Sequence, residues 1–253
     1  MPLLQCNDLD ISIGKTRVCE GLSLQMNAGE SWVVLGKNGS GKTTLLHTLA
    51  GLHEADDGEI RLQQTRLQDL SRQAIAQKLG ILFQQDEQSF PSSVLESTLI
   101  GRHPYLGWTQ WESTEDVQLA EKALDKLGLT EFKHRDIHTL SGGERRRVRI
   151  ACLLTQNPEI ALLDEPDNHL DIHHQIETLT LLTQQFNDKL LFMSAHDVNL
   201  ATRFCSHALL LLGNGETISG KIEDVISTAN LELLYGISIN QVTHKNRNLF
   251  IPD

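Results

Sequence analysis

Cysteine, aromatic residues and long apolar runs are all scarce in this sequence. The four cysteines stand far apart and form no C-x-x-C pair, which argues against a disulfide framework or a structural zinc site. The longest apolar runs, residues 190–193 and 208–212, fall far short of the roughly 20 residues that a membrane span needs. Residues 1–7 contain no basic segment leading into an apolar run, so we expect no signal peptide. The sequence therefore predicts a protein of the reducing cytosol that reaches a membrane only through a partner.

Positive charge is also in short supply. The chain has 22 lysine and arginine residues against 33 aspartate and glutamate residues, which gives a net charge of −11. This balance argues against nucleic acid or an anionic membrane surface as the main partner. The 40% of hydrophobic and 22% of charged residues are ordinary for a globular protein, and 253 residues form one large domain or two small ones.

One stretch, residues 36–44, fits the phosphate-loop pattern G-x-x-x-x-G-K-[ST] at every fixed position. An apolar run before it predicts a buried strand over residues 31–35, and an amphipathic pattern after it predicts a helix over residues 42–50. Glycines at this point let backbone N–H groups converge on an anion, and the helix N-terminus adds its positive dipole end. Lys42 supplies a charge for the β- and γ-phosphates, and Thr43 a hydroxyl for Mg²⁺. The predicted nucleotide contacts are Gly36, Asn38, Gly39, Ser40, Gly41, Lys42, Thr43 and Thr44.

A second chemical pattern is four apolar residues, 160–163, followed by Asp164 and Glu165. A carboxylate at the end of a buried strand can hold Mg²⁺ through water, and the next acid can polarise an attacking water. Alone, the pattern fits a strand followed by solvated acids equally well. The phosphate loop about 120 residues upstream favours the catalytic interpretation.

A third pattern, Leu140-Ser141-Gly142-Gly143-Glu144, opens an arginine-rich segment. Ser141 and Glu144 have the spacing of a capping box at the start of a helix. A capping box does not explain the two glycines between them, which weaken a first helical turn. Bare N–H groups beside a serine hydroxyl suit a second phosphate contact.

Strand and helix patterns alternate along most of the chain. This alternation predicts an α/β fold with a largely parallel sheet covered on both faces, preceded by antiparallel strands over residues 3–24. Residues 86–157 are helical, polar and interrupted, which predicts a helical subdomain inserted between two strands of one domain that spans residues 1–253. Residues 208–219 predict a final hairpin, and the tail, residues 226–253, predicts one helix followed by weakly patterned sequence.

These motifs together resemble the ATP-binding-cassette (ABC) ATPases, a P-loop NTPase family with a RecA-like core, over nearly the whole chain. Residues 36–44 resemble the Walker A motif, residues 140–144 the LSGGQ signature in its Glu variant, and residues 170–171 the D-loop. Gln84 resembles the Q-loop glutamine, Asp164 and Glu165 the Walker B aspartate and catalytic glutamate, and His196 the switch histidine.

The resemblance implies a mechanism in which two copies sandwich two ATP molecules head to tail. Catalytic roles fall to Glu165, His196 and Gln84, and the ligands of Mg²⁺ would be Thr43, Gln84 and Asp164. Further nucleotide contacts would come from Ser141, Gly142, Gly143, Glu144 and Asp171. The Q-loop would carry the motion of hydrolysis to a membrane partner.

A narrower resemblance connects residues 101–107, 168–175 and 231–236 with the importer ATPases for iron chelates, haem and cobalamin. It implies transmembrane permease subunits as partners, an extracytoplasmic substrate-binding protein as an indirect one, no nucleic acid, and a cytoplasmic location on the inner face of the plasma membrane. The alternative is a soluble ABC ATPase, such as one for iron–sulfur cluster assembly. A third interpretation, a nucleotide-binding regulator with degenerate catalysis, conflicts with intact Glu165 and His196.

Three positions depart from the family pattern: Ile13 stands where an adenine-stacking aromatic is usual, Lys37 where proline is, and Asp167 where threonine or serine is. We predict a permease-docking surface over residues 84–107, with Phe90, Tyr105 and the nearby Trp108 and Trp111 as its aromatic contacts; packing of the two tryptophans inside the helical subdomain is the alternative. A zinc site at His169 and His173 is disfavoured because no acid is adjacent. The arginines of residues 145–149 predict carboxylate pairs and a solvated helix face.

Overall fold

The computed structural model describes residues 1–84, 91–168, 170–245 and 247–253. The strands are β1 (Leu4–Ile13), β2 (Thr16–Met26), β3 (Ser31–Gly36), β4 (Asp57–Leu62), β5 (Thr65–Arg66), β6 (Leu79–Leu82), β7 (Ile160–Leu163), β8 (Leu190–Ser194), β9 (His207–Leu211), β10 (Thr217–Lys221), β11 (Ile239–His244) and β12 (Arg247–Pro252). The helices are α1 (Lys42–Leu49), α2 (Arg72–Lys78), α3 (Val94–Leu99), α4 (Thr114–Lys126), α5 (Gly142–Gln156), α6 (Ile172–Gln185), α7 (Val198–Phe204), α8 (Ile222–Val225) and α9 (Thr228–Tyr235). Short 3₁₀ segments lie at Leu67–Asp69, Ile100–Tyr105, Thr130–Phe132 and Ile137–Thr139.

The central sheet has six strands in the order β10-β9-β3-β8-β7-β6. Neighbouring strands from β9 to β6 are parallel, and only β10 runs antiparallel, as the second half of a hairpin with β9. The carboxyl ends of β3, β6, β7 and β8 therefore share one edge of the sheet, which is where α/β proteins bind ligands. A second sheet, β2-β1-β4-β5, is antiparallel. The predicted fold class is confirmed.

Alternate residues of β3 show how the central sheet is covered. Val33 and Leu35 belong to one hydrophobic core, which continues into α4, α5 and the C-terminal helices. Trp32 and Val34 point to the other face and belong to a core shared with α1 and the antiparallel sheet. Because this strand is buried on both faces, its sequence is a continuous apolar run without alternation.

The helices α3, α4 and α5 and the 3₁₀ segment Ile100–Tyr105 lie between β6 and β7 in the chain. Gly101 lies against α5, where a Cβ atom would come 2.3 Å from the Cys152 carbonyl oxygen. Arg102 joins the two ends of this region, since Nε donates to Asp116 at 2.7 Å and Nη1 to the Thr155 carbonyl at 3.2 Å. The predicted boundary at residue 86 lies outside the described residues, so the extent of residues 86–157 as a subdomain stays a prediction.

The interpretation of the tail as one helix followed by weakly patterned sequence is wrong. Residues 239–252 form a second antiparallel hairpin, β11-β12, after α8 and α9. The Asn199 side chain bonds both main-chain groups of Phe250, at 2.8 and 3.2 Å, and so fixes this hairpin to α7. The pattern was hidden because most residues of β11 are exposed and polar, which removes the period of two that marks a half-buried strand.

Candidate nucleotide site

The phosphate loop connects β3 to α1, and its geometry requires glycine at Gly41. This residue caps α1 with a φ of +96°, in the left-handed region that disfavours other residues. A Cβ atom here would also meet Val18, with its Cγ2 atom at 2.4 Å. The loop is therefore held in a tight turn between the central sheet and β2.

Lys42 lies inside this turn rather than in solvent. Its side chain is nearly buried, and Nζ donates to the carbonyl oxygens of Gly36 at 2.9 Å and Lys37 at 3.4 Å. Burial lowers the pKa of Lys42, and the carboxylates of Glu165 and Asp164 oppose that shift. A cation thus lies within the loop, as binding of a phosphate requires.

The hydroxyl of Ser40 is the observation that tests whether a phosphate group fits this loop. Ser40 Oγ is buried and has no hydrogen-bond partner among the described residues. Buried hydroxyls are normally satisfied, so an unpaired one beside Lys42 fits a ligand oxygen. Asn38 and Gly39 are exposed at the tip of the loop, and Thr44 lies half-buried in the first turn of α1.

Thr43 and Asp164 meet at the shared sheet edge. Thr43 Oγ1 donates to Asp164 Oδ2 at 2.6 Å, and Ser194 Oγ donates to Oδ1 of the same carboxylate at 2.6 Å. Asp164 is fully buried. Hydroxyl and carboxylate oxygens form the donor set that Mg²⁺ prefers, so the residues present fit the ion. Ser194, at the end of β8, was not singled out from the sequence.

Glu165 forms the centre of a hydrogen-bonded cluster at the same edge. Oε1 lies 2.6 Å from His196 Nε2, and Oε2 accepts hydrogen bonds from Gln84 Nε2 at 2.8 Å and Asn168 Nδ2 at 3.0 Å. The Glu165 side chain is 7% exposed, whereas that of His196 is 51% exposed. The structure therefore brings the three residues predicted to be catalytic into direct contact, and adds Asn168, which sequence reasoning missed.

The signature residues lie at the start of α5. Ser141 and Glu144 form the capping box that their spacing predicted, while Gly143 is half-buried and Gly142 exposed. A Cβ atom at Gly142 would meet nothing within 4 Å, so the chain itself does not require glycine there. Within the described residues, no hydrogen bond or ion pair joins these residues to the phosphate loop.

Asp171, the predicted D-loop residue, caps α6. Its carboxylate accepts from the His174 amide at 2.9 Å and lies 2.8 Å from His174 Nδ1. The hydrogen bond from the His174 backbone, followed by that from its side chain, lowers the pKa of Asp171. The disfavoured zinc pair includes His169, which lies outside the described residues.

The prediction that residues 145–149 form a solvated face is wrong for Arg146, which is buried against main-chain carbonyls of the site. Tyr105 also differs from its predicted docking role, because its hydroxyl contacts the carbonyl oxygens of Gln77 and Gln156. Trp108 and Trp111 are exposed rather than packed inside the helical region, and Phe90 lies outside the described residues.

Three comparisons with known proteins bear on this site. The family model described as ABC transporter matches residues 19–168. The petrobactin import ATP-binding protein FpuD of Bacillus anthracis is 37% identical over 225 residues, which are 88% of this chain and 82% of that protein. The ferric enterobactin transport ATP-binding protein FepC of Escherichia coli strain K12 is 33% identical over 92% of this chain and 87% of that protein.

Among solved structures, a protein assigned to the metal-chelate type of ABC transporter, in an inward-facing conformation, superposes with a TM-score of 0.86. The two are 28% identical, and the match covers 100% of this chain and 98% of the other. In the part of the chain that the structure describes, no helix is long and apolar enough to cross a membrane.

Proposed function

The chain belongs to the ABC transporter family, and we propose that it is the ATP-hydrolysing subunit that powers an importer for an iron chelate. The single observation that carries this proposal is the Glu165 carboxylate, which contacts His196 and Gln84 beside the linked pair Thr43 and Asp164. Relatives at 33% and 37% identity that are named for import of petrobactin and transport of ferric enterobactin support the class of cargo.

ATP would bind with its phosphates in the turn of residues 36–44. Lys42 would exchange its two loop carbonyls for phosphate oxygens, and the unpaired Ser40 hydroxyl would gain a partner. Mg²⁺ would be held by Thr43, Asp164 and Gln84 and would neutralise charge on the phosphates. Ile13, half-exposed at the end of β1, would offer the adenine an aliphatic contact in place of an aromatic one.

For hydrolysis, Glu165 would orient water and accept its proton. His196 lies on the exposed side of this carboxylate, so it can meet the transferring phosphoryl group while it restrains Glu165 Oε1. Gln84 restrains the other oxygen and connects the carboxylate to the segment that follows β6. This arrangement keeps the base directed by two neighbours of opposite sides.

The second half of each site would come from another copy of the chain. Ser141, Gly142, Gly143, Glu144 and Asp171 lie at helix starts, where main-chain N–H groups point outward. The open space beside Gly142 supports close approach of a partner's nucleotide, since nothing in the same chain occupies it. We therefore infer a head-to-tail dimer with two ATP molecules between the subunits.

The membrane partner would dock beside residues 107–112, which we call the aromatic loop. Its two tryptophans, Trp108 and Trp111, are 104% and 87% exposed. Exposed tryptophans are unfavourable in water and are enriched at protein interfaces, which fits a permease surface. The subunit would thus be cytoplasmic and held on the inner face of the plasma membrane by its permease, with the extracytoplasmic substrate-binding protein on the far side.

Reconstitution tests this function. The chain and the permease encoded beside it are purified together, placed in liposomes, and assayed for ATP-dependent uptake of a ferric siderophore labelled with ⁵⁵Fe. We expect uptake with the wild-type chain and none with Lys42→Ala. Purification without any membrane protein, together with binding to soluble scaffold proteins for iron–sulfur clusters, would instead favour the alternative of a cluster-assembly ATPase.

A further inference from the structure

Arg146 is a buried arginine that touches the candidate site without reaching into it. It lies in the second turn of α5 and is 4% exposed. Its guanidinium donates through Nη1 to the Phe83 carbonyl at 2.5 Å and through Nη2 to the carbonyls of Asp164 at 2.5 Å and Glu165 at 2.6 Å. A longer contact of 3.4 Å joins Nε to the Pro166 carbonyl. Every one of these acceptors is a main-chain oxygen.

These acceptors belong to two segments that leave the sheet side by side. Strands β6 and β7 are parallel neighbours whose last residues, Leu82 and Leu163, are paired. Phe83 directly precedes Gln84, and the other acceptors include Glu165 itself. One side chain of the helix that begins after Ser141 therefore joins the segment that carries Gln84 to the segment that carries Glu165.

The backbone of Glu165 shows why such a contact matters. Glu165 has a φ of +48°, in the left-handed region that is uncommon for residues other than glycine. Its N–H donates to Ser194 Oγ at 2.9 Å, and its carbonyl accepts from Arg146. Strained residues persist only where their surroundings over-determine them, and here both main-chain groups are held by side chains.

The charges around Arg146 are consistent with a permanently protonated guanidinium. Burial lowers the pKa of Arg146 to about 10, and the carboxylates of Asp164, Asp167 and Glu165 oppose that shift. At neutral pH the group therefore keeps its charge and all its N–H donors. Asp167, a position that departs from the family pattern, is half-buried in the same turn; burial raises its pKa, and Arg146 is among the groups that lower it.

We propose that Arg146 is a positioning residue for ATP hydrolysis, which holds the main chain at Phe83 and Glu165 so that Gln84 and the Glu165 carboxylate keep their mutual geometry. The proposal rests on the proposed function as an ATPase. Because α5 also carries the signature residues, a shift of this helix against the sheet acts on both segments through one guanidinium. A lysine cannot replace it, since a single ammonium nitrogen cannot reach carbonyls on both segments in the planar fork geometry of arginine.

The test compares Arg146→Lys and Arg146→Gln with Arg147→Lys in the full chain. Arg147 is the matched control, because it is the next residue of the same helix and donates to one carbonyl, that of Leu127, at 3.0 Å. For each variant, kcat for ATP hydrolysis, the Kd for ATP, the melting temperature and hydrogen–deuterium exchange of residues 163–168 are measured.

We expect both Arg146 variants to lose hydrolysis by on the order of 10²-fold, the effect that misplacement of a catalytic group can have. ATP affinity should stay close to that of the wild type, exchange over residues 163–168 should rise, and Arg147→Lys should change neither. In a Glu165→Gln background, Arg146→Lys should cause little further loss, because both changes act on the same carboxylate.

Three outcomes would overturn the proposal: unchanged kcat and exchange in both Arg146 variants, a parallel fall of kcat and ATP affinity with melting temperature, or failure of both variants to fold. The last two would make Arg146 a determinant of stability only. If the wild-type chain itself does not hydrolyse ATP, the proposed function fails, and the exchange measurement still tests whether Arg146 holds residues 163–168.

Discussion

Ser141 and Glu144 bond each other reciprocally at the start of α5. Ser141 Oγ donates to Glu144 Oε2 at 2.7 Å, while the Glu144 amide N–H lies 3.3 Å from Ser141 Oγ and donates to it. The Ser141 amide also donates to Glu144 Oε2, at 2.7 Å. The capping-box interpretation of the signature is thus correct within one chain, and it leaves Gly142 as the residue whose identity the chain alone does not explain.

The first prediction uses Gly142→Asp. Gly142 occupies open space at the first position of a helix, so an aspartate should leave stability unchanged or slightly raise it by interaction with the helix dipole. In an ATP-sandwich dimer its negative charge would oppose the γ-phosphate of the partner's nucleotide, and hydrolysis should be lost.

Mixing supplies the measurement for Gly142→Asp. Neither this variant nor Lys42→Ala should hydrolyse ATP alone, but their heterodimer contains one complete site and should recover activity. Gly142→Ala is the control for loss of glycine, and we expect it to retain hydrolysis. If the mixture stays inactive while heterodimers are demonstrably present, the shared site is wrong.

The second prediction separates docking from packing. The Tyr105 hydroxyl lies 2.9 Å from the Gln156 carbonyl and 3.1 Å from that of Gln77, and Arg102 lies over the ring at 4.2 Å from its centroid. Tyr105→Phe should therefore cost on the order of 1 kcal/mol of unfolding free energy, because a partly buried hydrogen bond is lost.

The double variant Trp108→Ser/Trp111→Ser should behave in the opposite way. Both side chains are exposed, so the melting temperature should stay at the wild-type value, while affinity for the permease falls by roughly 30-fold or more, as for loss of an interface hot spot. Differential scanning calorimetry and pull-down of the permease measure the two properties. Retention of full permease affinity by the double variant would move the docking surface elsewhere.

A third prediction concerns pH. Asp116 accepts hydrogen bonds from the side chain and amide of Ser113 and from Arg102, and these interactions, the Ser113 side chain first, lower its pKa from 3.8 to about 2. Because the folded-state pKa is depressed, the stabilisation is complete above about pH 4 and is lost as the pH falls toward 2.

Urea unfolding at several pH values checks this expectation. The free energy of unfolding of the wild-type chain should fall between pH 4 and pH 2, and Asp116→Asn should flatten that part of the curve while it lowers stability at neutral pH. An identical pH dependence in the variant would show that other carboxylates cause the acid loss.

Much of the site could be predicted because its residues sit at strand ends. A phosphate loop after β3, acids after β7, Gln84 near the end of β6 and His196 after β8 must all meet at one sheet edge once the strands are parallel. Local pattern was enough here, since each motif lies within a few residues of the strand that positions it.

Contacts between distant segments could not be predicted in this way. Arg146 stands in an arginine-rich run whose sequence fits a solvated face, and only the packing of α5 against β6 and β7 makes it buried. The burial of the Tyr105 hydroxyl likewise depends on carbonyls of Gln77 and Gln156. Such contacts depend on tertiary placement, which side-chain type and periodicity do not encode.

The most direct test of the whole account is ATP hydrolysis and ATP binding by Glu165→Gln, with Glu177→Gln on the exposed face of α6 as the control. An amide cannot accept the proton of the attacking water, so we predict that turnover falls by about 10²–10⁴-fold while the Kd for ATP stays near the wild-type value. ATP should also shift this variant to a dimer in size-exclusion chromatography, because hydrolysis no longer reopens it. Turnover within a few-fold of the wild type would contradict the assignment of Glu165 and with it the mechanism proposed for this site.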